Sequence, residues 1–244
     1  MSSSREATGD GRFLTTRWSL VSAAAAQGSA ASKSLEELCR AYWYPLYAFS
    51  RRRGASAADA EDLVQAFFTR LLERRDLAAV DRERGRFRSW LLASLSNFTH
   101  NEREKGEAQK RGGGRPTLSV DGGIAEARYA NEPSTSRTPE SEFERAWALE
   151  VLDRARSRLR EEYASRDKSE LFAALEAELA PGAGESDRKA MATQLGLRAG
   201  ALKVAIHRLR QRFGDALRAE VGETVATEAE IDLELSELLA ALAG

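Results

Sequence analysis

The chain has one cysteine, Cys39, and two histidines, His100 and His207, set far apart. A lone thiol excludes an intrachain disulfide framework and fits a reducing compartment. Ligands this scattered match no zinc spacing, so neither a metal nor another cofactor is expected. Long apolar runs are missing too. The apolar stretch near the N-terminus, residues 21–26, is too short for a signal-peptide core, and no run approaches the roughly 20 residues of a membrane helix. A soluble, cytoplasmic protein with no membrane partner is the expectation. There is no Gly-rich phosphate loop and no G-x-S-x-G nucleophile motif, so an enzyme is not expected. β-branched residues are scarce and no segment alternates as a strand would.

What is present is helical and charged. Of 244 residues, 42% are hydrophobic, enough for a folded core, and 31% are charged. The 37 basic and 38 acidic side chains nearly cancel, but they are segregated. Residues 187–218 hold eight Lys or Arg against two Asp, whereas residues 219–244 hold seven acidic side chains and no basic one.

The periodicity predicts an all-α chain of two small helical domains. Residues 1–11 read as a disordered tail, and Thr15 or Thr16 caps a short helix with Trp18 and Leu20 inward. A helix over 34–53 places Leu35, Leu38, Tyr42, Leu46 and Phe49 on one face, and Gly54 ends it. The next begins at Ser56 and runs to about residue 75, with Asp59, Glu61 and Asp62 in its first turn, where the helix dipole favours acids. Leu63, Phe67 and Leu71 head its apolar face. A charged loop over 81–86 leads to a helix with Phe87, Trp90, Leu91, Leu95 and Phe98 inward, continuing as a polar helix to about residue 110. Glycine, proline, serine and threonine then erase the periodicity over 111–139, which reads as a flexible linker. Helices resume near 141, with a break at 181–184. The expected units are 12–110, a linker over 111–140, 141–218, and an acidic helical tail over 219–244.

Two constellations carry chemistry. Residues 187–213 read as a short helix, a turn at Gly196, and a second helix from Arg198, in which Leu202, Ile206, Leu209 and Phe213 form one buried stripe. Lys203, His207 and Arg210 share the outer face, with Arg208 and Arg212 beside it. Such a helix-turn-helix suits the DNA major groove, where Arg and Lys donate to base edges and phosphates; an ordinary basic hairpin with solvated arginines has the same pattern. Residues 85–105 interleave Arg86 and Arg88 with aromatics, followed by Asn97, His100, Asn101 and Arg103. Aromatic stacking, amides and cations together hold single-stranded bases. Trp90 and Phe98 also read as core, the favoured reading for Trp90, and the chemistry alone does not separate the two uses of the Asn and His residues. The acidic start and apolar ridge of residues 59–72 could dock another helix, or complement a dipole and fill a core.

Taken in this order, these segments resemble the extracytoplasmic-function (ECF) group of the sigma-70 family, in a divergent subgroup. Residues 59–67 look like that family's polymerase-binding helix, which implies contacts to core RNA polymerase by Asp59, Glu61, Asp62, Leu63, Gln65 and Phe67. Residues 87–91, Phe-Arg-Ser-Trp-Leu, look like the start of its DNA-melting helix, and Asn97 and Asn101 fall at positions that begin the capture of −10 bases. Arg86, Arg88, Trp90, His100 and Arg103 would join them. Residues 196–210 look like its region 4 helix-turn-helix, which implies −35 contacts by Arg198, Lys203, His207, Arg208, Arg210 and Arg212. The implied function is promoter-specific transcription initiation, with region 2 over 12–110 and region 4 over 141–218. The implied partners are the clamp and flap of core RNA polymerase and promoter DNA, duplex at −35 and melted at −10, with an anti-sigma factor or a kinase as conceivable regulators.

Ala201 and Ala205 depart from the family's usual Thr and Arg, and residues 147–180 lack the L-P-x-x-x-R signature of region 4. The other readings are a stand-alone helix-turn-helix regulator, which would dimerise on two half-sites, and a helical interaction protein. The tail either packs on region 4 as a cap or shields the basic recognition helix.

Overall fold

A computed structural model of the chain describes residues 29–74, 86–108, 122–131, 137–180, 188–222, 225 and 227–243. The expected N-terminal tail, the short helix around Trp18 and most of the charged loop lie outside them. Every regular element among the described residues is helical, as the composition and periodicity predicted. They are α1 (Ser29–Arg52), α2 (Ala57–Arg74), α3 (Phe87–Ala108), α4 (Gly122–Asn131), α5 (Pro139–Ala164), α6 (Ser169–Leu175) followed by a 3-10 turn (Glu176–Leu179), α7 (Arg188–Gln194), α8 (Ala199–Gly222) and α9 (Ala229–Ala243).

The ends of these helices are written locally. Gly54 has φ +91°, and the 3.2 Å bond from the Ala55 N–H to the Ser50 carbonyl closes α1 with a left-handed cap. Ser56 then caps α2, its Oγ accepting from the Asp59 N–H at 3.1 Å and donating to the Asp59 carboxylate at 2.7 Å. Thr138 caps α5 by accepting from the Ser141 N–H, with Pro139 at the first helical position.

Two cores form. In the larger, Tyr42, Leu46 and Tyr47 of α1 meet Val64, Phe67 and Phe68 of α2, Phe87, Leu91 and Leu95 of α3, and Phe143, Trp147 and Val151 of α5. In the smaller, Leu159 and Tyr163 of α5 meet Phe172, Leu175, Ala192, Leu202, Ile206 and Leu209. Helix α5, 26 residues and so about 39 Å long, belongs to both. Its buried residues recur at steps of three and four from Phe143 to Tyr163. Helix α8 does the same, with Leu202, Ile206 and Leu209 in the smaller core and Leu217 and Val221 in the larger.

This packing differs from the expected pair of units on a tether. Residues 122–131, inside the expected linker, form α4. Its Glu126 accepts from Tyr47 and Arg51 of α1, and the Arg128 guanidinium lies 3.8 Å from the centre of the Tyr44 ring. Glycines and a proline on either side hid a helix held by these tertiary contacts. The tail helix α9 packs on α5 and α8, burying Leu238 in the larger core.

A charge network ties α3, α5 and α9 together. The side chain of Arg88 is 3% exposed and that of Glu234 is 0%. Arg88 pairs with Glu234 and Glu237 of α9 and with Glu144 of α5, the last at 2.7 Å, while its guanidinium sits 4.4 Å from the centre of the Trp147 ring. Arg86 pairs with the same two glutamates of α9. Breaking a buried pair from one side strands the other charge. Arg88→Ala is therefore expected to lower stability by about 3–5 kcal/mol, read as a fall in the urea midpoint, whereas an exposed change such as Arg208→Ala leaves the midpoint nearly unmoved.

Cys39 is buried at 7% exposure on α1, and burial, with the charge of Glu36 nearby, pushes its thiol up to about 12. The thiolate is the reactive form. A thiol reagent should accordingly label the native protein far more slowly than the urea-unfolded one; equal rates would contradict the burial.

Candidate nucleic-acid interface

The first site lies between α2 and α3. Phe67 packs at 5.7 Å on both Phe68 and Phe98, so the two helices share an aromatic seam. Beside the seam opens a cleft of about 290 Å3, lined by Phe67, Arg70, Leu71, Trp90, Ser94, Asn97, Phe98 and Asn101. The Arg70 guanidinium lies 5.4 Å from the centre of the Phe98 ring. Trp90 is half-buried, packed on Phe87 at 5.7 Å with part of its indole at the cleft. The cleft thus presents aromatic walls, two amides and a cation, the set of groups that takes an unstacked base and its phosphate.

The expected −10 residues divide. Trp90, Asn97 and Asn101 line the cleft. His100 is exposed on α3, and the Arg103 side chain lies outside the described residues. Arg86 and Arg88 are engaged by the α9 glutamates, and Arg88 is buried, so in this conformation it presents nothing to DNA. The alternation of arginine with aromatics read equally well as an exposed strip; burial decided otherwise. Arg70, which the sequence reading passed over, joins the site. A lone arginine three residues after Phe67 gives no signal until α3 is packed beside it.

The expected polymerase face also divides. Asp59 and Asp62 are exposed, and Glu61 and Leu63 half-buried. Asp59 serves the helix cap, and Glu61 accepts from Gln65 at 3.2 Å along one helical turn. Gln65 is 9% exposed and Phe67 2% exposed, which makes Phe67 a core side chain and leaves little of it for a docking partner.

The second site is the helix-turn-helix. Gly196 takes φ +63°, and the Leu197 N–H reaches the Ala192 carbonyl at 2.9 Å while the Gly196 N–H bonds to Thr193. This left-handed cap reverses the chain between α7 and α8, and an L side chain there would be strained. Leu202, Ile206 and Leu209 are buried below, and Arg198, Lys203, His207 and Arg208 are exposed above. Arg210 turns instead to Glu178, bonding its carbonyl and carboxylate at 3.0 Å each, and Arg212 bonds Glu162 of α5 at 3.0 Å. These two arginines anchor α8 to its support. The shielding alternative for the tail does not match the geometry: Glu234 and Glu237 of α9 pair with Arg86 and Arg88, and Asp232 pairs with Arg218.

The hydrogen bond from Arg188, with the charges of Arg188 and Arg210, holds Glu178 below the ordinary glutamate value of 4.5. Hydrogen bonds from Arg86 and Tyr47 do the same for Glu237 and Glu126 respectively. Because the folded values are depressed, the stability these groups supply is complete above 4.5 and is lost as pH falls through the lowered values. Acid should therefore lower the urea midpoint of the wild type more than that of Glu178→Gln.

Residues 38–107, from within α1 to the end of α3, match the sigma-70 region 2 family. The match covers less than a third of the chain and contains the whole α2–α3 cleft. No curated protein and no solved structure matches the chain. A sigma-70 region 2 segment implies a role in RNA polymerase binding and transcription initiation. That segment is what this chain shares with the sigma-70 family. No described helix is long and apolar enough to cross a membrane.

Proposed function

We propose that the chain is a sigma factor of the extracytoplasmic-function type, which binds core RNA polymerase through region 2 and directs it to a particular set of promoters. The observation that carries this reading is the α2–α3 cleft, lying within the matched region 2 and furnished with stacking surfaces, amides and Arg70. The exposed face of α8 supplies the second half: Arg198, Lys203, His207 and Arg208 offer donors to the −35 duplex, while Trp90, Asn97 and Asn101 hold the unstacked −10 strand. The open acidic start of α2, chiefly Asp62, is the polymerase contact, and Phe67 supports it from the core.

Two measurements test the halves separately. Asp62→Arg is expected to abolish co-purification with bacterial core RNA polymerase while leaving helicity and unfolding unchanged. A folded wild type that fails to bind core polymerase overturns the sigma reading. On the DNA side, Lys203→Ala and Arg208→Ala should each weaken promoter binding by the holoenzyme by about 1–3 kcal/mol. Equal transcription from all variants would take α8 out of promoter recognition.

A further inference from the structure

Arg86 stands one helical turn before Trp90, its carbonyl accepting the Trp90 N–H at 3.2 Å. It is therefore a cation placed one turn from the wall of the cleft. Both of its partners come from one helix, Glu234 at 2.9 Å and Glu237 at 2.8 Å on α9. A carboxylate is the closest side-chain likeness of a phosphate oxygen pair, and the guanidinium fork suits both. The α9 residues Glu230, Asp232, Glu234 and Glu237 have no basic neighbour on the same helix.

We propose that Arg86 is a phosphate contact for single-stranded DNA and that α9 occupies it in cis, so that strand capture and the seating of α9 compete at this arginine. The proposal rests on the reading of the α2–α3 cleft as a single-strand site. Arg86 and Arg88 divide the work. The Arg86 side chain is 26% exposed, and the partners it loses when that helix lifts are, among the described residues, the α9 carboxylates. Arg88 keeps Glu144 and the Trp147 ring, both on α5, so the departure of α9 does not leave its buried charge without a counter-ion. Glu234 and Glu237 pass into water, where their charge is solvated. The apolar contact of Leu238, Leu235 and Ile231 with the larger core, the Asp232–Arg218 ion pair and the Arg145 bond to the Leu242 carbonyl remain in opposition and keep α9 seated until DNA is offered.

The test uses the full-length protein and a labelled oligothymidylate, read by fluorescence anisotropy. Glu234→Gln with Glu237→Gln keeps the side-chain shape and removes the charge. This double variant is expected to bind about tenfold more tightly than wild type, and adding Arg86→Gln should cancel the gain. Glu161→Gln with Glu170→Gln, both exposed and away from α9, removes as much charge and should change affinity by no more than about twofold. Because the buried Glu234 could disturb folding when altered, hydrogen exchange on the wild type gives a second readout: saturating oligonucleotide should raise the exchange of residues 229–243. Unchanged exchange at saturation overturns the proposal, as does a folded double variant that binds like wild type or a gain that survives Arg86→Gln. Asn101→Ala separates the two readings. Affinity insensitive to it overturns the cleft and the clasp together, whereas sensitivity to it without an effect of the glutamates overturns the clasp alone.

Discussion

A guanidinium buried at 3% exposure has to be matched by charge and by ring face, and Arg88 recruits both from helices far apart in the chain. Desolvating an arginine and a wholly buried glutamate costs several kcal/mol per ion, so each must face a counter-ion for as long as it stays buried. Glu144 and Trp147 come from α5 and Glu234 and Glu237 from α9. Satisfying Arg88 therefore seats α3, α5 and α9 at once. A hydrophobic contact could slide; a fork bonded to three carboxylates beneath a ring sets position and rotation together.

From that junction α5 and α8 carry the geometry to the helix-turn-helix, since each contributes to both cores. The basic residues of α8 are sorted along the way. Those that meet a carboxylate on the support, Arg210 with Glu178 and Arg212 with Glu162, hold the helix down. Those that meet none of these, Lys203, His207 and Arg208, lie on the exposed face, with Arg198 exposed just before the helix. The same count of positive charge thus divides into anchored and exposed, and the division follows from which acids α5 and the 3-10 turn place beneath.

Much of this was legible in the residues. The helical class, the starts of α2 and α8, the glycine caps at Gly54 and Gly196, and the stripe of Leu202, Ile206 and Leu209 follow from local rules acting over three to five residues. The region 2 segment was legible from the order of its motifs. Helix α4 was not, because its contacts to Tyr47, Arg51 and Tyr44 lie some 75 residues or more upstream. Nor was the place of Arg70 in the cleft, or the burial of Arg88, since an arginine beside aromatics fits a solvated strip as well as a stacked, paired core.

By itself the sequence determined the helical stretches other than α4, and which of their faces are apolar, because those depend on backbone freedom and on side-chain spacing along one helix. Only the tertiary structure decided which charges are available. Two arginines two residues apart, Arg86 and Arg88, differ in exposure because one lies at the rim of the α3–α5–α9 junction and the other inside it. Burial and counter-ion are properties of how helices meet, and no periodicity within a helix records them.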